Sequence, residues 1–241
     1  MPSNTTDTRQ RADTNTKPPP RAVLVLDVGG SHVKARLSGS PAEIAVVSGK
    51  TLTPRGMMTA LRTALAGWHY DVVSIGFPAL VAHGHIAHEP VNLGPGWVGF
   101  DFTAAFGCPV KVINDAAMQA LGSYDGGCML FLGLGTGLGS AMIVDGRVEP
   151  MELAHVPYKQ QTYEDYVGES ARERLGEAQW RAEVMAVIET LRTALEPDYV
   201  VLGGGNVRLL ASLPEGVRRG NNANAFEGGF RLWNLDNGAP S

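Results

Sequence analysis

Twice in this chain a short apolar run ends in a glycine turn and is followed at once by another run that reads as a strand. Ala22 to Leu26 (AVLVL) leads through Asp27 and Gly29-Gly30 into Val33 to Leu37. Farther on, Cys128 to Leu132 (CMLFL) leads through the glycine turn Gly133 to Gly139 into Ser140 to Val144. Short apolar runs bounded by turn signals read as buried strands, and glycine lets the chain reverse where a side chain would clash. The two halves share this plan without a close sequence repeat. A chain of 241 residues can form one large domain or two small lobes around a cleft. The repeated plan favours two related α/β lobes.

The remaining pattern fits this division. Glu43 to Ser48 and Val72 to Phe77 read as strands, and Pro54 to Ala66 as a helix through Met58, Leu61 and Leu65, with proline at its start. Pro78 to Gly107 reads mostly as loop. Val110 to Ile113 is a strand ending on Asn114-Asp115, and a helix over Ala116 to Tyr124 follows. Asp145-Gly146 is a hairpin turn. Tyr163 to Leu195 carries one or two helices, Tyr199 to Leu202 is a strand ending on Gly203-Gly204-Gly205, and a short helix is expected around Phe226 to Trp233. The expected boundaries are a disordered, polar tail over 1–21, an N-terminal lobe over 22–116 and a C-terminal lobe over 117–241.

Composition narrows the function classes. The formal net charge of −4 argues against a nucleic-acid surface, which needs a basic patch. Only Cys108 and Cys128 occur, without the spacing of a zinc knuckle or a disulfide framework. No apolar run approaches the ~20 residues of a membrane span, and the N-terminus lacks an apolar leader. A cytoplasmic, non-membrane protein is the expectation.

Four motifs carry chemistry. In Leu26 to Lys34 (LDVGGSHVK) an acidic residue leaves a buried strand before two glycines, whose backbone N–H groups can approach an anion. The Asp27 carboxylate there suits a hydrated magnesium ion; a plain hairpin turn is the simpler reading. Gly133 to Ser140 (GLGTGLGS) opens a strand rather than a helix, so it is no dinucleotide fingerprint. Exposed amides and the Thr136 hydroxyl suit phosphate oxygens, and no G-x-x-x-x-G-K-[ST] loop occurs. In Val112 to Ala120 (VINDAAMQA), Asp115 stands at a strand end, where α/β proteins place ligands; it reads as a general base or as a helix N-cap. In Met151 to His155 (MELAH), Glu152 and His155 can converge on sugar hydroxyls, or be ordinary surface residues. His83, His85 and His88 read as parts of a hairpin rather than as metal ligands.

Together these residues resemble the ROK family of sugar kinases and sugar-responsive repressors, over about Val23 to Gly205. LDVGGSHVK and GLGTGLGS are similar to the family's two phosphate motifs. SIGFPALVAHGHI with VNLGPGW is similar to its substrate loop, VINDA to the motif of its catalytic aspartate, and LGGGN to its adenosine-side turn. The short, cysteine-free form after His155 looks most like the polyphosphate-dependent glucokinases. Family members often carry a structural zinc there; here VPYKQQTYEDYVG has no cysteine, so none is expected. Leu153-Ala154 also stands where the family usually has glycine before the histidine.

The resemblance implies an actin-like, ribonuclease H-like fold, each lobe a mixed sheet with helices and the active site in the interlobe cleft. It also implies a glucokinase that phosphorylates the sugar 6-hydroxyl from polyphosphate, ATP or both, with magnesium. It implies Asp115 as base, and Asn92, Asn114, Glu152, His155 and Glu164 on the sugar. Asp27, Gly29, Gly30, Ser31, Lys34, Gly135, Thr136, Gly137, Gly203 and Gly204 fall on the donor phosphates, with Asp27 also on magnesium. A track of Lys34, Lys50, Arg55, Lys159 and Arg208 would suit a polyanion. Partners are a sugar and a phosphoryl donor, in a homodimer. Kinases of other sugars (mannose, N-acetylmannosamine, fructose) and an inactive sugar-binding regulator are the alternatives; a polar tail of this length has no room for a helix-turn-helix module.

Overall fold

The computed structural model describes residues 21–221 and 223–234. The expected N-terminal tail, apart from Arg21, lies outside them.

The first half runs β1 (Val23–Val28), β2 (His32–Leu37), β3 (Glu43–Val47), α1 (Pro54–Ala64), β4 (Val72–Phe77), the short pair β5 (Val81–Ala82) and β6 (His85–Ile86), α2 (Phe102–Phe106), β7 (Val110–Asn114) and α3 (Asp115–Ser123). The second runs β8 (Cys128–Leu134), β9 (Leu138–Val144), β10 (Arg147–Met151), a 3-10 turn (Leu153–His155), the short pair β11 (Pro157–Tyr158) and β12 (Gln161–Thr162), α4 (Glu164–Val167), α5 (Glu169–Leu175), α6 (Glu177–Leu195), β13 (Tyr199–Gly203), a 3-10 turn (Gly205–Leu209), β14 (Val217–Arg219) and α7 (Asn224–Arg231).

The shared plan is a shared topology. The first sheet has the order β3-β2-β1-β4-β7 and the second β10-β9-β8-β13-β14. In each, the central strand is antiparallel to the next in sequence, which is antiparallel to the third, and parallel to the fourth and fifth. The central strands are β1 and β8, the two apolar runs that open the halves, and both are buried along most of their length. Fully burying one such Leu or Val side chain contributes about 1.5–3 kcal/mol.

Local chemistry explains where elements start and stop. Thr53 caps α1, accepting from the Gly56 N–H at 3.2 Å, with Pro54 in the first helical position. Helix α3 begins at Asp115, because Asn114 is its cap; the N-cap reading of Asp115 is corrected by one residue. The span read as one or two helices is three. α4 stops at Gly168, where a Cβ would press on the Thr136 and Glu164 carbonyls, and α6 starts after Gly176, whose φ of 77° suits glycine. The stretch 78–107, expected as loop, also holds β5, β6 and α2.

The last helix of each half crosses to the other half. α3 follows the last strand of the first sheet, yet Ala116, Ala117 and Ala120 pack with Met129, Phe131 and Ile143 of the second. α7 follows the last strand of the second sheet, yet Ala225 and Phe226 pack with Val23, Val25 and Val72 of the first. Ser74 Oγ donates to the Gly229 carbonyl at 2.6 Å and accepts from Trp233 Nε1 at 2.9 Å, fixing that crossing. No helix among the described residues is long and apolar enough to cross a membrane.

Candidate active site

A cleft of ≈ 860 Å³ opens between the C-terminal ends of the central strands of both sheets. A second cavity of ≈ 500 Å³, between Trp68 and Cys108, lies at the opposite end of the first sheet, away from the glycine turns.

On the first sheet, Asp27 is the last residue but one of β1, and the chain reverses over Gly29 to Ser31, closed by the Gly29 N–H on the His32 carbonyl at 2.9 Å. Register places Lys34 opposite Asp27, on the same face of the sheet. Burial raises the Asp27 carboxyl above its ordinary range; Lys34 opposes this and Glu43 adds to it. Asn92 rests over Gly30, where a Cβ would lie 3.4 Å from its own. The Asn92 loop is held by Glu89, whose carboxylate accepts from the N–H groups of Gly96, Trp97 and Val98 at 3.1 to 3.2 Å. Desolvation works against ionising Glu89, but these three bonds hold its carboxyl below the ordinary value.

On the second sheet, the β8–β9 turn presents Gly135, Thr136 and Gly137, closed by the Gly135 N–H on the Gly137 carbonyl at 3.2 Å. Glu164 lies against this turn. Its carboxylate accepts from the Leu138 N–H at 3.1 Å and occupies the space a Gly137 side chain would need. Behind the turn, Asn206 donates to the Gly135 carbonyl at 3.2 Å and to Glu169 at 2.6 Å, while the Glu169 N–H reaches the Thr136 carbonyl at 3.1 Å. Ser140 Oγ, bonded to the Met151 carbonyl and the Leu153 N–H at 2.7 and 3.2 Å, pins the segment bearing Glu152 and His155 at the cleft edge.

Between the two turns stands Asp115. Asn114 Oδ1 accepts from the Ala116 and Ala117 N–H groups at 2.9 and 3.2 Å, and its amide donates to the Ala79 carbonyl at 3.2 Å. That fixes the strand-to-helix turn and leaves one Asn114 N–H uncommitted. Asp115 Oδ1 accepts from the Ala116 N–H at 2.7 Å. Burial nevertheless pushes the Asp115 carboxyl up to about 7, with the Ala116 bond opposing and the charges of Asp27 and Glu152 adding to the rise.

Every site residue expected from the sequence lines this cleft except Gly203, whose missing side chain makes room for Gln119 and Phe131. Of the proposed cation track only Lys34 lines it; Lys159 is paired to Glu183 at 2.6 Å, and Lys50, Arg55 and Arg208 are exposed elsewhere. His83 and His85 flank the β5–β6 turn, and of the three histidines only His88 reaches the cleft. Glu89, Gln119, Glu169 and Asn206 escaped the sequence reading. The acidic residue just before VNLGPGW, and the asparagine closing LGGGN, were the signals for two of them.

A magnesium ion fits here. Asp27 receives no hydrogen bond from a described residue, and magnesium keeps most of its waters beside one or two carboxylates and a substrate phosphate. No group of three or more His, Cys, Asp and Glu among the described residues is arranged to hold a metal by itself.

No family model matches the chain. Among solved structures, the inorganic polyphosphate/ATP-glucomannokinase of an Arthrobacter species superposes with a TM-score of 0.76 at 24% identity, over 90% of this chain and 99% of that one. A ROK family glucokinase of Streptomyces griseus, solved with glucose and AMPPNP, gives 0.70 at 16% identity, over 88% and 98%. The fold is that of the ROK sugar kinases. In sequence, the chain resembles the polyphosphate glucokinase of Mycobacterium tuberculosis, 25% identical over an alignment of 204 positions that covers 75% of this chain and 76% of that protein. The two mixed sheets and the cleft between them are thus the actin-like, two-lobed ROK architecture.

Proposed function

We propose that the chain is a hexose kinase, with glucose as acceptor, transferring a phosphoryl group to the 6-hydroxyl from polyphosphate, ATP or both. The observation that carries this is Asp115: a carboxylate raised to about 7 by burial, at the junction of two glycine turns that face each other across one cleft. A base poised near neutral pH is matched to deprotonating an alcohol. The names of the relatives in sequence and fold support the same reading.

Asp115 accepts the proton of the sugar hydroxyl as its oxygen bonds to the terminal phosphorus, and the bond from that phosphorus to the leaving phosphate oxygen breaks. The departing group is the nucleoside diphosphate or the shortened polyphosphate. Phosphoryl transfer asks mainly for positioning and charge neutralisation. The backbone N–H groups of the Gly29 to Ser31 and Gly135 to Gly137 turns hold donor oxygens, with Lys34 beside them. Asn92, Glu152, His155, Glu164 and the free Asn114 N–H hold the sugar. Asp27 would hold a magnesium ion, which when bound would neutralise donor charge.

The test is product formation with glucose, mannose, fructose and N-acetylmannosamine, each against ATP and long-chain polyphosphate at equal magnesium. Hexose 6-phosphate is expected, fastest with glucose, and Asp115→Asn should abolish most turnover while the sugar still binds. Folded wild-type protein that phosphorylates none of these sugars from either donor would refute the kinase reading.

A further inference from the structure

Gln119 lies one helical turn beyond Asp115 on α3, so both side chains leave the same face of the helix. It is half-buried and lines the cleft. Its main-chain carbonyl accepts from Ser123 Oγ at 2.8 Å, but its side-chain amide has no hydrogen-bond partner among the described residues. The apolar Phe131 ring lies beside it. On the remaining side β13 ends on Gly203, where a Cβ would collide with Gln119 Oε1 and with the Phe131 ring. The glycine is thus what lets the amide lie across the strand end.

An amide carries two N–H donors and an acceptor oxygen. At the cleft wall these groups are open to a ligand rather than committed to the protein. This end of the cleft is walled by the β8–β9 turn and by Gly204 and Gly205, where bare backbone suits the close approach of phosphate. We propose that Gln119 is a donor-binding residue whose amide N–H groups bond phosphate oxygens on the far side of the transferred group. The proposal rests on the kinase reading above and adds to it a residue that none of the glycine motifs contains. A phosphate chain is common to a nucleoside triphosphate and to polyphosphate, so both donors are predicted to use Gln119.

The decisive comparison is wild type against Gln119→Glu and Gln119→Ala. Gln119→Glu keeps the side-chain shape and faces the phosphate with negative charge. KM for ATP and for long-chain polyphosphate would be measured at saturating glucose, and glucose affinity by tryptophan fluorescence without donor. A rise of about tenfold or more in donor KM is expected for the Glu variant, and a smaller rise for Ala, because a bond to a charged group is lost in both. Glucose affinity should stay within about twofold, since the sugar side is untouched. A rise with one donor only would overturn the prediction that both donors use Gln119 and keep it as a contact of that donor alone. Donor KM unchanged for both donors, or glucose affinity falling by the same factor as donor affinity, overturns the proposal. Calorimetric titration with magnesium tripolyphosphate reads the same site without turnover. Weaker binding by the Glu variant would then support Gln119 even if wild type phosphorylated no hexose, which would refute the kinase reading alone.

Discussion

Two influences oppose each other at Asp115. As the first residue of a helix it meets unpaired N–H groups and the positive end of the helix dipole, which favour the carboxylate. Burial and the nearby charges of Asp27 and Glu152 favour the neutral acid, and they win, setting the carboxyl to about 7. An acid whose folded-state value lies above its unfolded value binds its proton more tightly when folded. The fold is therefore favoured at low pH and loses stability as pH rises from the unfolded value near 3.8 towards about 7, staying level above that. The penalty at alkaline pH is on the order of 4 kcal/mol. Asp115→Asn removes it. In metal-free buffer the variant is expected to melt above wild type at pH 8, with the gap closing by pH 4; thermal melts across that range check this, and equal melting temperatures at pH 8 would show that the carboxyl is not strained. Activity should move the opposite way. Log kcat/KM of wild type is expected to climb with pH and level off near 7 rather than near 4, because the base must lose its proton to work.

At the scale of elements, the segment from Glu152 to Glu164 is held by Ala154 and Tyr163 in the core and by an ion-pair brace. Lys159 sits at the tip of the β11–β12 turn and reaches both carboxylate oxygens of Glu183 on α6 at 2.6 Å, with its charge over the Tyr158 and Tyr166 rings. Glu183 is only 8% exposed, and Tyr158 Oη adds a bond to it at 3.3 Å. The turn lies between His155 and Glu164, so the brace sets where both face the cleft. Glu183→Gln keeps the shape and removes the charge. It is expected to raise KM for glucose several-fold with donor KM unchanged, and to lower the melting temperature; steady-state kinetics against each substrate would check the split, and equal changes in both KM values would mark the pair as general scaffolding.

Much of this layout was legible from the chain. The strands next to the glycine turns were, because an apolar run, a turn signal and a second run are local patterns, and Asp115 was, because it ends one such run. The Lys159–Glu183 pair was not, since its members lie on separate elements and each looks like a solvated charge. Gln119 was missed for a related reason, and Gly203 was read without it. The glycine looked like a phosphate contact, and only the packing of β13 against α3 shows that it makes space for an amide. The Glu89 loop was half legible: VNLGPGW announced a turn, but nothing local says that one carboxylate three N–H groups deep holds it.

For the molecule as a whole, the exchange of α3 and α7 makes the two sheets mutually dependent. Each helix follows the last strand of one sheet and covers the other, and the two cross at glycines. A Cβ on Gly122 would overlap the Asn224 carbonyl, and one on Gly228 would overlap the Met118 carbonyl, so main chain meets main chain at the crossing. Arg231 of α7 closes the contact by donating to the Leu121 and Tyr124 carbonyls at 3.2 and 2.8 Å, which satisfies the free end of α3 and places a cation at the negative end of its dipole. Backbone cannot give way as a flexible side chain can, so a methyl here forces the helices apart. Because α3 carries Asp115 and Asn114 at its other end, that shift also reaches the cleft. Gly228→Ala is expected to cost about 1–3 kcal/mol or more, lowering the melting temperature by several degrees for a chain of this size, and to reduce kcat. Gly135→Ala provides the contrast. No atom lies within 4 Å of a Cβ there, so it should leave the melting temperature unchanged while weakening the donor turn. Paired thermal melts and kinetics separate the two kinds of glycine, and a Gly228→Ala protein as stable and active as wild type would mean that the lobes are not held together through this crossing.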